Sequence, residues 1–204
     1  LVYINDLEGK ITKINLTDMT ETKAGLRTRL YDSTTIFEAS STATNGRYMF
    51  HSMDTAIGTT SKNLWLYAGT GDYERVTAKN NNIDNLLIGF RDKDFPFYEE
   101  VNRNYSPFSL MACQDTSNDT TGVRCPLDST ERVLIRGVGR VNRDAGWYIK
   151  LQNSQKVVAE PTVTRGVAYF PIYEPTTSLN QCDPGKAFVC AVDDECGTNF
   201  SGRL

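Results

Sequence analysis

The chain has 204 residues, 39% of them hydrophobic, enough for one sizeable core or two small ones, since domains run to about 100–200 residues. A formal net charge of -3 and a pI near 5.3 leave no basic footprint, which sets aside nucleic-acid binding, a function that rests on clustered Lys and Arg. No apolar run approaches the roughly 18 residues of a membrane-spanning helix.

Strand patterns begin at the first residue. The segment LVYINDLEGKITKINL opens inside one, without Met, basic n-region or apolar leader, and is expected to belong to the C-terminal part of a longer polypeptide. Asp6 and Gly9 hold its turn. Thr12, Ile14 and Leu16 then alternate on one face against Lys13 and Asn15 on the other. Further short runs rich in β-branched and aromatic residues follow in order: TIFEA, RYMFH, NLWLYA, NLLIGF, RVLIR, GWYIKL, KVVAE, GVAYF and KAFVCAV. Turn residues punctuate them, as in Thr44-Asn45-Gly46 and Thr164-Arg165-Gly166, where Gly supplies the positive φ of a tight reversal. No window sustains a helical period, and DMTETKAGLRT has too few apolar positions to bury a stripe.

The expected fold is therefore all-β with little helix: part of a modified β-propeller with long loop insertions. About eleven strands make roughly three four-stranded blades, whereas propellers close with about four to eight. Partner strands are accordingly expected N-terminal to Leu1. Residues 1–204 read as one C-terminal propeller portion, with a loop-rich insertion at about 91–131 carrying charges and prolines. Long insertions on rigid scaffolds often serve as binding loops.

Five cysteines fall in the second half, flanked by Asp, Asn, Pro and Gly. With one histidine in the chain and no CxxC pair, disulfides in an oxidising compartment are the expectation rather than zinc. The pairs expected are Cys113 with Cys125 and Cys182 with Cys196. Cys190, in KAFVCAV, is left as a small buried hydrophobe.

The stretch AGTGDYERV invites a phosphate-loop reading, but it lacks the Lys and the third glycine of the known fingerprints. Gly69 and Gly71 are instead expected to let the chain turn away from the strand, with Asp72 accepting backbone N–H bonds as an Asx turn does. His51 would have to anchor any Ser-His or Cys-His catalytic pair, and no GxSxG elbow accompanies it. Among the carboxylates, Asp115 and Asp119 in DTSNDTTG come nearest to a calcium loop without completing one. Trp65 and Trp147 sit in strand runs and read as core. Phe95, Phe97 and Tyr98, beside Pro96, are the candidate contact loop for a sugar or partner. Sequons at Asn15, Asn104, Asn118 and Asn199 bear on the protein only in a host that glycosylates them.

Several segments together resemble the C-terminal propeller domain of PilY-type proteins of bacterial type IV pili: VYINDLEGKITKINL, LWLYAGTGDYE, LLIGFRDKDFP, GWYIKLQNSQKVVAEPTVTRGVAYFPIYEP and CDPGKAFVCAVDDECGTN, in that order. The resemblance implies a non-enzymatic adhesin and biogenesis factor at the extracellular tip of a pilus, favouring assembly over retraction. It implies minor pilins, a host or abiotic surface, and the N-terminal part of the same protein or a separate completing chain as partners. Calcium is implied for a loop upstream of Leu1, and no cofactor for this chain. Two other classes stand beside it: a fragment of a quinoprotein-like propeller dehydrogenase, which would need calcium ligands and a stacking platform, and a structural filament-associated protein.

Overall fold

The computed structural model describes residues 1–16, 33–39, 41, 46–59, 61–80, 82–92, 95–96, 132–136, 144–176, 183–195 and 197, with the backbone alone at 132–136 and 144–145. These residues form twelve strands and no helix: β1 Val2–Asn5, β2 Lys10–Ile14, β3 Ser33–Glu38, β4 Asp54–Ile57, β5 Leu64–Gly69, β6 Leu86–Asp92, β7 Arg132–Arg136, β8 Asp144–Lys150, β9 Lys156–Val157, β10 Thr162–Thr164, β11 Val167–Glu174 and β12 Lys186–Asp193. All pairings between them are antiparallel. The first sheet runs β1-β2-β3, the second β4-β5-β6-β8-β7, and the third β10-β11-β12 with β9 also paired to β11. Among the described residues the three sheets thus hold three, five and four strands.

The second sheet lies between the other two, and its strands are apolar on both faces for that reason. Along β5, Leu66 and Ala68 face the first sheet, where they meet Ile11, Ile36 and Phe37. Trp65 and Tyr67 face the third sheet, where they meet Phe170, Ile172 and Val192. Strands β6 and β8 obey the same alternation: Ile88, Phe90 and Tyr148 point one way, Leu87, Trp147 and Ile149 the other. Phe37 stacks on Phe90 with ring centroids 5.1 Å apart, and Trp147 meets Phe170 edge-on at 6.1 Å. A sheet buried on both sides reads as a continuous apolar run, the pattern of LWLYAG and NLLIGF.

The first hairpin has the opposite character. Its Asp6-to-Gly9 turn closes with Gly9 at φ +73° and with Asp6 Oδ1 accepting the N–H groups of Glu8 and Lys10 at 2.9 and 3.0 Å. The face of β2 that packs inward is the one with Ile11, Lys13 and Asn15, all buried. Lys13 Nζ lies 2.6 Å from Asp92 Oδ2 on β6, with the two side chains only 3% and 4% exposed. Tyr3 donates its hydroxyl to the same oxygen at 2.6 Å. The face with Thr12, Ile14 and Leu16 looks outward, where β1 adds Val2 and Ile4 as cross-strand neighbours. Ile4 is 49% and Leu16 48% exposed. At the opposite end of the stack the outer face of the third sheet carries Tyr169, Pro171 and Tyr173 paired with Ala191, Val189 and Ala187, and Val189 is 60% exposed.

Other expectations shift. RYMFH forms no strand and makes one bridge, Met49 to Gly71; of KVVAE only Lys156–Val157 pairs. Arg91 and Asp92, assigned to the insertion, end β6 instead. Cys190 is buried in the core between the second and third sheets and is disulfide-bonded, so it is not the unpaired thiol. With five cysteines in the chain, a bonded Cys190 means that the pairs Cys113–Cys125 and Cys182–Cys196 do not both stand. An odd count leaves at least one cysteine without a partner inside the chain, and parity does not say which.

Candidate functional site

The site grows from the end of β5. A Cβ on Gly69 would lie 2.4 Å from Val157 Cγ2, and one on Gly71 2.8 Å from the Val157 carbonyl oxygen. Both glycines therefore serve the close approach of β9 across the chain, and neither has a positive φ. Thr70 N–H donates to the Leu86 carbonyl and Gly71 N–H to that of Tyr48, each at 2.9 Å. The amides that a phosphate loop would turn toward its ligand are thus consumed by the fold.

Beyond the glycines the backbone folds into a loop. Asp72 Oδ1 accepts Arg75 N–H at 3.1 Å and its Oδ2 accepts Arg75 Nε–H at 2.8 Å. Lys156, on β9, reaches into the loop from the core side and donates from Nζ to the carbonyl oxygens of Arg75 at 2.6 Å, Val76 at 2.8 Å and Ala78. Three donors meet three acceptors, and Lys156 is only 5% exposed. Burial pushes the Lys156 ammonium down from its ordinary value, against the pull of the nearby Asp72 carboxylate. The floor under this loop is a second polar network. Asn85 Nδ2 donates to the Gln155 carbonyl at 2.8 Å, and Thr70 Oγ1 lies 3.2 Å from Asn85 Oδ1 while accepting Leu86 N–H at 2.8 Å.

On its solvent side the loop walls a cavity of about 320 Å³, lined among others by Tyr48, Asp72, Arg75, Lys79, Asn80 and Lys156. Lys79 also borders a neighbouring cavity of about 570 Å³ that includes Asn153, Thr176 and Lys186. Sequence reading missed this place because Lys156 is about eighty positions from the carbonyls it holds; the one signal was a lysine beginning an otherwise apolar strand.

The other candidates are scattered. His51 packs edge-on against Tyr73 at 5.0 Å, and its buried Nε2 has no hydrogen-bond partner among the described residues. Burial holds its pKa below the ordinary value, and no base-and-orienter pair is built on it there. Glu195, in the acidic run after β12, accepts Ser61 N–H at 3.0 and 3.2 Å and Ser61 Oγ–H at 3.1 Å, while Trp65 Nε1 donates to Ser61 Oγ at 2.8 Å. That run fastens the second and third sheets together, as does Trp147 Nε1 donating to the Asp194 carbonyl at 3.0 Å. No group of three metal-capable side chains occurs among the described residues. Phe95 is exposed; Phe97, Tyr98, Asp115, Asp119 and the cysteines other than Cys190 lie outside the described residues.

No family model and no curated protein matches the sequence. Among solved structures, the C-terminal domain of Pseudomonas aeruginosa PilY1 superposes with a TM-score of 0.59 at 14% identity, over 98% of this chain. The fold is PilY1-like. The match takes in 45% of the PilY1 chain, so the present chain spans less than half the length of that domain.

Proposed function

We propose that this chain is part of a bacterial type IV pilus protein, extracellular and placed at the pilus tip, that supports pilus assembly against retraction, contributes to surface attachment and catalyses no reaction. The observation that carries the reading is the correspondence with the PilY1 C-terminal domain across 98% of the chain. Its partners in this reading are minor pilins, the surface to which the pilus attaches, and further β-sheets that pack on the two exposed end faces. Those sheets come from another part of the same polypeptide or from a separate chain. Calcium, if it acts on the parent protein, acts in this reading through a loop outside the chain.

In the bacterium that carries the gene, deletion of the segment 1–204 is expected to remove most surface pili, counted by electron microscopy. Inactivating the retraction motor in the same strain is expected to restore them. Gold-labelled antibody against the segment should mark pilus ends. Unaltered pilus numbers after deletion, or label confined to the shaft, would sink the proposal.

A further inference from the structure

The geometry points to a binding site for an anionic saccharide, one bearing carboxylate or sulfate groups, formed by the loop after β5 and the cavity it walls. The lining residues carry three cations, Arg75, Lys79 and Lys156, against one carboxylate, Asp72, in a chain whose net charge is -3. Lys156 spends its protons on loop carbonyls, so recognition falls to the other two.

Arg75 is held for that task from three sides. Asp72 fixes its backbone N–H and its Nε–H, and Lys156 fixes its carbonyl. The side chain is nevertheless 71% exposed, and neither terminal nitrogen has a partner among the described residues. A guanidinium pinned through Nε presents the remaining N–H pair as a planar fork, the geometry that matches a carboxylate or sulfate bidentately. Lys79 stands between the two cavities and adds a second positive point. Around these charges stand the half-buried ring of Tyr48 and the amide of Asn80, suited to the face and the hydroxyls of a sugar.

Dimension and charge decide the class. A cavity of about 320 Å³ sits at the small end of the roughly 300–1,000 Å³ of ligand pockets, the scale of a sugar unit and not of a folded partner. The adjoining cavity sets Glu174 and Asp183 against Lys79 and Lys186, so its wall carries no excess of positive charge and the anion is read in the first cavity. Nucleic acid would call for a longer basic stripe than Arg75, Lys79 and Lys186 supply. The ligand would serve the attachment role proposed above, and only that link rests on the pilus reading.

The test titrates the full chain with tetramannuronate, its neutral counterpart mannotetraose, a sulfated galactotetraose and a tetra-aspartate peptide, by calorimetry. Tetramannuronate or the sulfated sugar, whichever anion the fork prefers, should bind at least roughly tenfold more tightly than mannotetraose. Arg75→Gln should remove most of that preference and Lys79→Gln part of it, with circular dichroism unchanged because both side chains are at the surface. Equal binding of neutral and anionic sugars, full binding by Arg75→Gln, or preference for the peptide overturns the site. Since binding is measured on the purified chain and piliation in the bacterium, the two proposals fail separately.

Discussion

Replacing Lys156 by Met keeps the length of the side chain and removes the three N–H donors that meet Arg75, Val76 and Ala78. Carbonyls that lose a charged donor inside a folded protein cost more than ordinary hydrogen bonds, so the variant should be destabilised by about 3 kcal/mol. Hydrogen exchange should rise in the loop around Arg75 before it rises in β5. A urea midpoint equal to that of the parent chain would show the loop to be independent of its lysine. The pair Lys13 and Asp92 allows a sharper test, because both are buried in an otherwise apolar layer. Lys13→Met takes from the Asp92 carboxylate the ammonium 2.6 Å away and should cost about 3–5 kcal/mol. Combining Lys13→Met with Asp92→Leu removes both charges, and the loss should be much smaller than the sum of the single changes. Additive losses would mean that the two groups act apart.

At the scale of strands and turns, the hairpin between β10 and β11 shows how a turn is chosen. Thr164 pairs with Val167, leaving the two-residue loop Arg165-Gly166, with φ values of +52° and +79°. Two successive positive φ angles define the turn whose twist suits a β-hairpin. Gly166 takes the conformation freely, whereas Arg165, exposed, pays for its Cβ. Arg165→Asn should therefore raise stability by about 0.5–1 kcal/mol, since Asn enters the left-handed region more readily; thermal melting reads the change, and a lower midpoint would argue that the arginine side chain has a hold of its own. The same scale shows what the sequence could reveal. LWLYAG, NLLIGF, GVAYF and KAFVCAV were legible because burial on one or both faces demands apolar residues at strand spacing. Asp54–Ile57 and Thr162–Thr164 escaped notice: both are short, part-exposed sheet-edge strands with little hydrophobic signal. RYMFH misled because Tyr48 and Phe50 are aromatic for contact with each other, ring centroids 6.1 Å apart, and not for a ladder. Nor could the loop site be read from spacing, since its parts come from β9 and from the segment after β5, which only the stacking of sheets brings together.

For the molecule as a whole, the end faces dominate. Ile4, Leu16 and Val189 are exposed on sheets whose other sides are packed, and apolar faces of this kind normally mark a contact surface. The isolated chain should self-associate. Ile4→Lys with Leu16→Lys should increase its monomer fraction in analytical ultracentrifugation. An isolated chain that is monomeric without the substitutions would show that these faces are content in water.

The ammonium inside the Asp72–Ala78 loop has one more consequence. It draws carbonyl oxygens together as a bound divalent ion would, and a lysine is covalently attached and cannot be extracted. Treatment with a chelator should leave exchange protection in residues 72–79 unchanged. Loosening of that segment by EDTA, reversed by adding the ion back, would reveal an inorganic ligand that the lysine had been credited with replacing.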